Sequence, residues 1–121
     1  GENMEKKEKA KIKKAELTKL TNILKNLPPD KRKLSEGLKQ QAAFMYATLA
    51  ELQETLNEDG AVELFEQGAQ KMLREHPAAK TYNAMVKNYN STMKQLFDLL
   101  PDDKGKDPAD ELMDFVKKVR K

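Results

Sequence analysis

The residues in this sequence that are best suited to chemistry are lysines that can neutralise phosphates. One basic cluster lies near the N-terminus and a second follows a double proline: Lys6, Lys7, Lys9, Lys11, Lys13 and Lys14, then Lys31, Arg32 and Lys33. Lysine binds a nucleic-acid backbone by releasing counterions and does not read base sequence. The clusters therefore predict contacts with DNA. Glu5, Glu8 and Glu16 dilute the first cluster, and a solvated basic tail has the same composition.

The sequence contains no arrangement of side chains that is typical of an enzyme. Its single histidine, His76, has no His, Cys or clustered carboxylate at ligand spacing, so a turn or helix-cap role is favoured. Glycine-rich phosphate loops and hydrolase motifs are absent. The carboxylates Glu51, Glu54, Glu58 and Asp59 are interpreted as a solvated acidic face. We expect no catalysis, no metal and no cofactor.

Charge is distributed unevenly along the 121 residues. Residues 1–33 carry a net charge of +6, residues 34–76 carry −5 and residues 77–121 carry +2. This pattern indicates a polyanion-binding segment joined to an assembly domain. The chain is 38% hydrophobic and 36% charged, so we expect a narrow helical core completed by self-association. No apolar run approaches the roughly 18 residues of a membrane span, and the absence of Cys is compatible with a reducing cytoplasm.

Two long helices are predicted to form the structural centre of the chain. Apolar residues recur at helical spacing from about Lys31 to Asn57, with Asp30 as the cap, and again from Pro77 to Pro101. An antiparallel hairpin would bury both apolar seams and use them for subunit interfaces. The predicted interface residues are Leu38, Met45, Leu49, Leu52, Leu56, Tyr82, Met85, Tyr89, Met93 and Leu96.

Shorter segments flank and connect these helices. Residues 4–14 show no face that packs and are predicted to be a frayed helix or a disordered arm. A short amphipathic helix follows at residues 15–27 and ends at Pro28. Residues 61–75 fit either a β-hairpin or one amphipathic helix, and their Glu and Gln content slightly favours the helix. Residues 107–121 are predicted to form a last amphipathic helix that either docks a partner or folds back on its own domain. Its predicted apolar face consists of Leu112, Phe115, Val116 and Val119.

The predicted fold is therefore mainly α. It has a long antiparallel helical hairpin, a short basic N-terminal helix, a possible small β-hairpin between the long helices and a C-terminal amphipathic helix. We divide the chain into a basic arm with its short helix (1–29), a helical-hairpin oligomerisation core (30–101) and a linker with a docking helix (102–121).

The order of these parts resembles the small terminase subunits of tailed bacteriophages over roughly residues 31–121. A long helix ends in the acidic-glycine turn Asn57-Glu58-Asp59-Gly60, and a short segment containing Gly68 follows. The next helix begins with His76-Pro77-Ala78 and ends in Leu99-Leu100-Pro101. The tail contains Asp110-Glu111-Leu112-Met113-Asp114-Phe115. Each motif is weak alone, and their order and spacing carry the resemblance.

This resemblance implies a function that composition does not. Small terminase subunits assemble as homo-oligomeric rings, bind double-stranded viral DNA and deliver it to the large terminase subunit, which holds the ATPase and nuclease. The resemblance implies a location in the host bacterial cytoplasm, without membrane contact, and favours strands over residues 61–75. The N-terminus departs from the pattern because residues 4–33 show no clear helix-turn-helix. Two alternatives remain: a non-enzymatic helical adaptor, and a small basic DNA-binding regulator that acts as a dimer.

Overall fold

A computed structural model describes residues 4–67, 70–101 and 115–117. Most of the described residues are helical, which confirms the mainly α prediction. In chain order the elements are α1 (Lys6–Leu24), α2 (Pro29–Asp59), β1 (Val62–Gln67), β2 (Gln70–Glu75) and α3 (Pro77–Asp98).

The first helix is longer than the sequence pattern predicts. It runs without interruption from Lys6 to Leu24, so the expected frayed or disordered segment at residues 4–14 is wrong. The short helix predicted at residues 15–27 is the C-terminal part of this one helix. Its N-terminal turns are held by contacts with α2, since Lys9 reaches Glu51 and Phe44 there. Such long-range contacts do not appear in local periodicity.

The second helix begins and ends close to the predicted positions. Pro28 is its N-cap and Pro29 its first residue, so the helix starts two residues before Lys31, and Asp30 lies in the first turn rather than capping it. At the other end Gly60 adopts φ 83° and ψ 163°, and its N–H donates to the Leu56 carbonyl. That backbone conformation is essentially restricted to glycine.

Exchanging each of two glycines for alanine should have opposite effects on stability. Gly60→Ala forces a side chain into the conformation that glycine adopts, and should cost about 1–3 kcal/mol of unfolding free energy. Gly37 lies inside α2 with nothing within 4 Å of an added Cβ, so Gly37→Ala should stabilise by about 0.5–1 kcal/mol. Urea unfolding measures both effects. If Gly60→Ala leaves the midpoint unchanged, the strain argument is wrong.

Residues 62–67 and 70–75 pair as a two-stranded antiparallel sheet, so the helical alternative is wrong and the β-hairpin is confirmed. The register places Glu63 opposite Arg74 and Leu64 opposite Leu73. At the base of the hairpin the His76 N–H donates to the Ala61 carbonyl at 2.8 Å.

The three helices lie antiparallel to their neighbours in an up-down-up bundle. Lys9 and Thr21 of α1 meet Glu51 and Lys39 of α2, respectively, which fixes the antiparallel direction of that pair. The α2–α3 pair is fixed likewise, because Gln53 Nε2 donates to the Tyr82 hydroxyl at 3.0 Å and the rings of Tyr46 and Tyr89 are 6.2 Å apart. The predicted long antiparallel hairpin is thus confirmed, with α1 as a third packed helix.

The main hydrophobic core lies at the end of the bundle where α1 joins α2. Its buried members come from all three helices and from the C-terminal segment, and are Leu20, Leu24, Leu27, Ala42, Leu96 and Phe115. Phe115 packs edge to face on Phe97, with ring centroids 6.0 Å apart. The first helix therefore shares one core with the helical hairpin.

The predicted C-terminal helix can be compared with the structure only in part. Residues 115–117 are helical, and the rest of the predicted segment 107–121 lies outside the described residues, as does the linker that precedes it. Among the helices that the structure describes, none is both long and apolar enough to cross a membrane.

Candidate nucleic-acid interface

The outer side of α1 carries a continuous polar surface with four lysines. At 3.6 residues per turn, positions 7, 11, 14, 18, 22 and 25 fall on one side of the helix, opposite the buried Leu20 and Leu24. All six side chains are exposed. We call this surface the lysine face; its residues are Lys7, Lys11, Lys14, Thr18, Asn22 and Lys25.

The glutamates that dilute the basic sequence do not dilute the lysine face. Glu8 is exposed at the flank of this surface, about 100° around the helix from Lys7, and Glu5 is the exposed N-cap that precedes α1. Glu16 points to the inside and is only 2% exposed. The folded surface is consequently more strongly positive than the local sequence composition indicates, because it contains no carboxylate.

The structure separates the predicted DNA-binding lysines into two groups. Lys7, Lys11 and Lys14 lie on the lysine face, and Lys6 is exposed but falls outside it, about 100° around the helix from Lys7. Lys9 does not face solvent fully: its Nζ lies 3.2 Å from Glu51 Oε1 and 5.3 Å from the centre of the Phe44 ring. Lys13 is half-buried on the flank. Lys9 therefore fixes α1 on α2, and we leave it and Lys13 out of the candidate interface.

The second basic cluster lies at the end of the bundle. Lys31, Arg32 and Lys33 are exposed in the first turn of α2, where a short connection joins it to α1. Lys25 is the last residue of the lysine face at this same end. Sequence reasoning did not select Lys25 for DNA contact. The spacing in the sequence could have identified it, because Lys25 lies 18 residues, or about five helical turns, after Lys7 and so falls on the same side of the helix.

The lysine face has dimensions that suit a nucleic-acid backbone. Eighteen residues separate Lys7 from Lys25, which corresponds to about 27 Å at 1.5 Å per residue. A DNA strand carries one phosphate per roughly 3.4 Å of helix axis, so this length corresponds to about eight base pairs. The surface offers ammonium groups and two short polar side chains, which favours binding to phosphates over reading of bases.

His76 has the capping role that the sequence favours. Its Nδ1 accepts a hydrogen bond from the Ala78 N–H at 3.0 Å, at the N-terminus of α3. Because Nδ1 accepts, the neutral ring carries its proton on Nε2, which donates to Asp59 Oδ2 at 3.2 Å. This hydrogen bond from His76 lowers the pKa of Asp59 below its usual 3.8. The stabilisation that it gives is present at neutral pH and is lost as acid protonates the carboxylate.

Removing the histidine cap should destabilise the fold measurably. His76→Ala deletes the acceptor for Ala78, and we expect a loss of about 1 kcal/mol in the free energy of unfolding. His76→Asn keeps a side-chain acceptor at the cap and should recover most of that loss. Chemical denaturation of the two variants measures the difference. Equal losses of unfolding free energy in the two variants would show that His76 does not stabilise the fold by capping α3.

The described chain also contains a concave surface between two helices. A shallow groove of about 370 Å³ lies between α2 and α3, lined by Gln41, Phe44, Met45, Asn88, Ser91 and Thr92. None of these side chains titrates near neutral pH. Within residues 4–67, 70–101 and 115–117, no group of three or more His, Asp or Glu is placed to hold a metal ion.

No family model, curated protein or solved structure matches this chain.

The predicted interface residues lie along the contact between α2 and α3. Leu96 is buried in the core, and the other nine are half-buried. Leu38 and Met93 pack against the core cluster. Tyr89 is packed on Tyr46, and burial, with Glu16 and Tyr46 nearby, raises its pKa to about 12. These residues form the hairpin seam, and their contact with a second subunit stays a prediction.

The predicted docking residues are only partly described. Phe115 is buried in the core of its own chain and Val116 is half-buried, so this part of the segment folds back on the bundle. Leu112 and Val119 lie outside the described residues. Docking of a partner through Phe115 would require this side chain to leave Phe97 and the core.

Proposed function

We propose that this chain is the small terminase subunit of a tailed bacteriophage. It binds double-stranded viral DNA, assembles as a homo-oligomeric ring and presents the DNA to the large terminase subunit in the host bacterial cytoplasm. In this proposal the chain itself is not an enzyme and needs no cofactor. The observation that carries the proposal is the lysine face, a positively charged and carboxylate-free surface on the outer side of α1.

The charge of this surface supports DNA binding over simple solubility. A helix needs only scattered charges to stay soluble, and such helices usually mix both signs. Here four lysines share one side of α1, while its glutamates lie at the flank or inside. Lys31, Arg32 and Lys33 extend the positive surface beyond Lys25. DNA would bind along α1 through its backbone, with affinity that falls steeply as salt increases.

Exposed apolar side chains support assembly. Phe44 is 49% exposed on α2 beside the groove, and Val62 and Leu73 are 55% and 72% exposed on the hairpin. The buried hydrophobic positions include four alanines, so the core of one chain is thin. A chain of this kind gains stability by covering apolar surface with further copies.

The arrangement of elements supports the resemblance on which the proposal depends. The acidic-glycine turn ends α2, the β-hairpin follows it, and the His76-Pro77 pair begins α3. These are the motifs whose order resembles the terminase family. The groove lined by Phe44 and Met45 instead favours the alternative of a helical adaptor, because it offers an apolar surface to a protein partner.

Two measurements on the purified chain test the proposal. Light scattering behind a sizing column gives the native mass, and a titration of duplex DNA at several salt concentrations gives the affinity and its salt slope. We expect one closed oligomer and strongly salt-dependent binding. A dimer that binds DNA would replace the proposal by the DNA-binding regulator, and an oligomer without DNA binding would replace it by the adaptor.

A further inference from the structure

The N-terminal half of α1, residues 6–16, has no fully buried hydrophobic side chain, and its one large aliphatic residue, Ile12, is half-buried. The buried hydrophobic residues of α1, Leu20 and Leu24, both follow Glu16 in the sequence. Before it, the observed anchors are the ion pair of Lys9 with Glu51, in which both side chains are about 30% exposed, and the stacking of Lys9 on Phe44. Glu16 itself is the only buried residue of this half.

Glu16 is buried in an unusual way for a carboxyl group. Its residue is 2% exposed, and Oε2 has no hydrogen-bond partner among the residues that the structure describes. The antiparallel contacts of α1 with α2 place Glu16 level with about residue 44, where the neighbouring buried residues Ala43 and Ala47 offer no donor. Thr48 Oγ1 is also buried without a partner, so it does not donate to Glu16.

The charged and titratable groups around Glu16 do not neutralise it. Lys19, one turn along α1, is exposed and favours the ionised carboxylate less than burial disfavours it. Tyr89 of α3, with Tyr46 of α2 against it, faces Glu16 as a neutral phenol. Lys9 is paired with Glu51 on one side, and Lys39 is paired with Glu36 and Thr21 on the other. An ionised Glu16 is therefore a buried charge without a direct partner.

We propose that Glu16 is a proton-controlled latch for the N-terminal half of α1. The protonated carboxyl group keeps residues 6–16 docked on α2. When the carboxyl group ionises, residues 6–16 detach from α2 and the carboxylate becomes hydrated. Lys7, Lys11 and Lys14 lie on the released half, whereas Lys25 stays with the core. The latch would thus change the shape of the lysine face without any change in its charge.

The direction of the pH effect follows from burial. Burial raises the pKa of Glu16 above its ordinary 4.5, and the nearby Lys19 offsets part of this effect. Between the ordinary and the raised pKa the docked state binds more protons than the open state. The opening constant should therefore increase by up to about tenfold per pH unit in that interval and level off above the raised pKa. Docking therefore weakens as the pH rises through that interval.

Hydrogen exchange of the full chain at several pH values tests this inference without DNA or any partner protein. We expect the protection of amides 9–16, corrected for intrinsic exchange, to fall as pH rises, while amides 20–24 keep theirs. Glu16→Gln should remove the pH dependence of residues 9–16. The matched control is Glu8→Gln on the exposed flank, which should behave as the wild type.

Two outcomes would overturn the latch. One is a Glu16→Gln variant that keeps the wild-type pH profile at residues 9–16. The other comes from the wild-type protein alone: a carbon NMR titration in which the Glu16 carboxyl shows an ordinary pKa. This second measurement remains decisive if Glu16→Gln fails to fold. Neither measurement depends on whether the chain binds DNA, so the latch and the proposed function can fail separately.

Discussion

Replacing Lys7, Lys11 and Lys14 together by Gln should weaken duplex DNA binding by on the order of a hundredfold at 0.1 M salt. Each lysine that meets a phosphate contributes nearly one unit to the slope of log affinity against log salt, so the slope should decrease by about three. Gln has nearly the same helix propensity as Lys, and all three positions are exposed, so α1 itself should persist. Fluorescence anisotropy at several salt concentrations measures both quantities.

The chain offers a matched control for this experiment. Lys80, Lys87 and Lys94 are exposed on one side of α3, at spacings of seven residues. Changing these three to Gln alters the net charge by the same amount on a different surface. We expect this variant to keep most of the wild-type affinity and slope. Equal losses in both variants would mean that DNA responds to net charge and that the lysine face is not the interface.

Leu20→Ala should destabilise the fold by about 2–5 kcal/mol. Leu20 is 1% exposed and packs in the cluster that joins α1 to the rest of the bundle. Truncation leaves a cavity among side chains from three helices, and a domain of this size has only about 5–15 kcal/mol of stability. The shift in urea midpoint, at constant slope, measures the loss.

Leu34→Ala is the matched control for Leu20→Ala. It removes the same atoms from a side chain that is 68% exposed on α2, so the free energy of unfolding should change by less than about 0.5 kcal/mol. A small effect of Leu20→Ala, similar to that of Leu34→Ala, would show that α1 is a loose arm rather than a part of the core.

The sequence predicts best those elements whose ends are fixed locally. The start and end of α3 follow from Pro77 and Pro101, and its capping residue from the lone His76. Gly60 marks the end of α2 because its backbone conformation excludes other residues. These signals act within a few residues, and they can be read without knowing what packs on the helix.

The parts that sequence reasoning missed depend on distant partners. The N-terminal turns of α1 contain few apolar residues, and their helical state depends on Lys9 meeting Glu51 and Phe44 more than thirty positions away. The hairpin likewise depends on pairing between its strands, which helix propensity does not include. For the candidate interface, the residue types were predictable, but the separation of Glu16 from the lysines appears only when the whole of α1 is treated as one helix.

The hydrogen bond that closes the base of the β-hairpin has a consequence for folding order. The His76 N–H donates to the Ala61 carbonyl at 2.8 Å, so the end of α2 and the start of α3 lie close together in space. A hairpin forms in about 1–10 μs from local contacts alone. Formation of the hairpin shortens the effective loop between the facing residues of α2 and α3. The docking of these two helices therefore costs less conformational entropy, because most of that cost was incurred when the hairpin formed. The two longest helices can then meet as near neighbours in the chain, as α1 and α2 already do across residues 25–28.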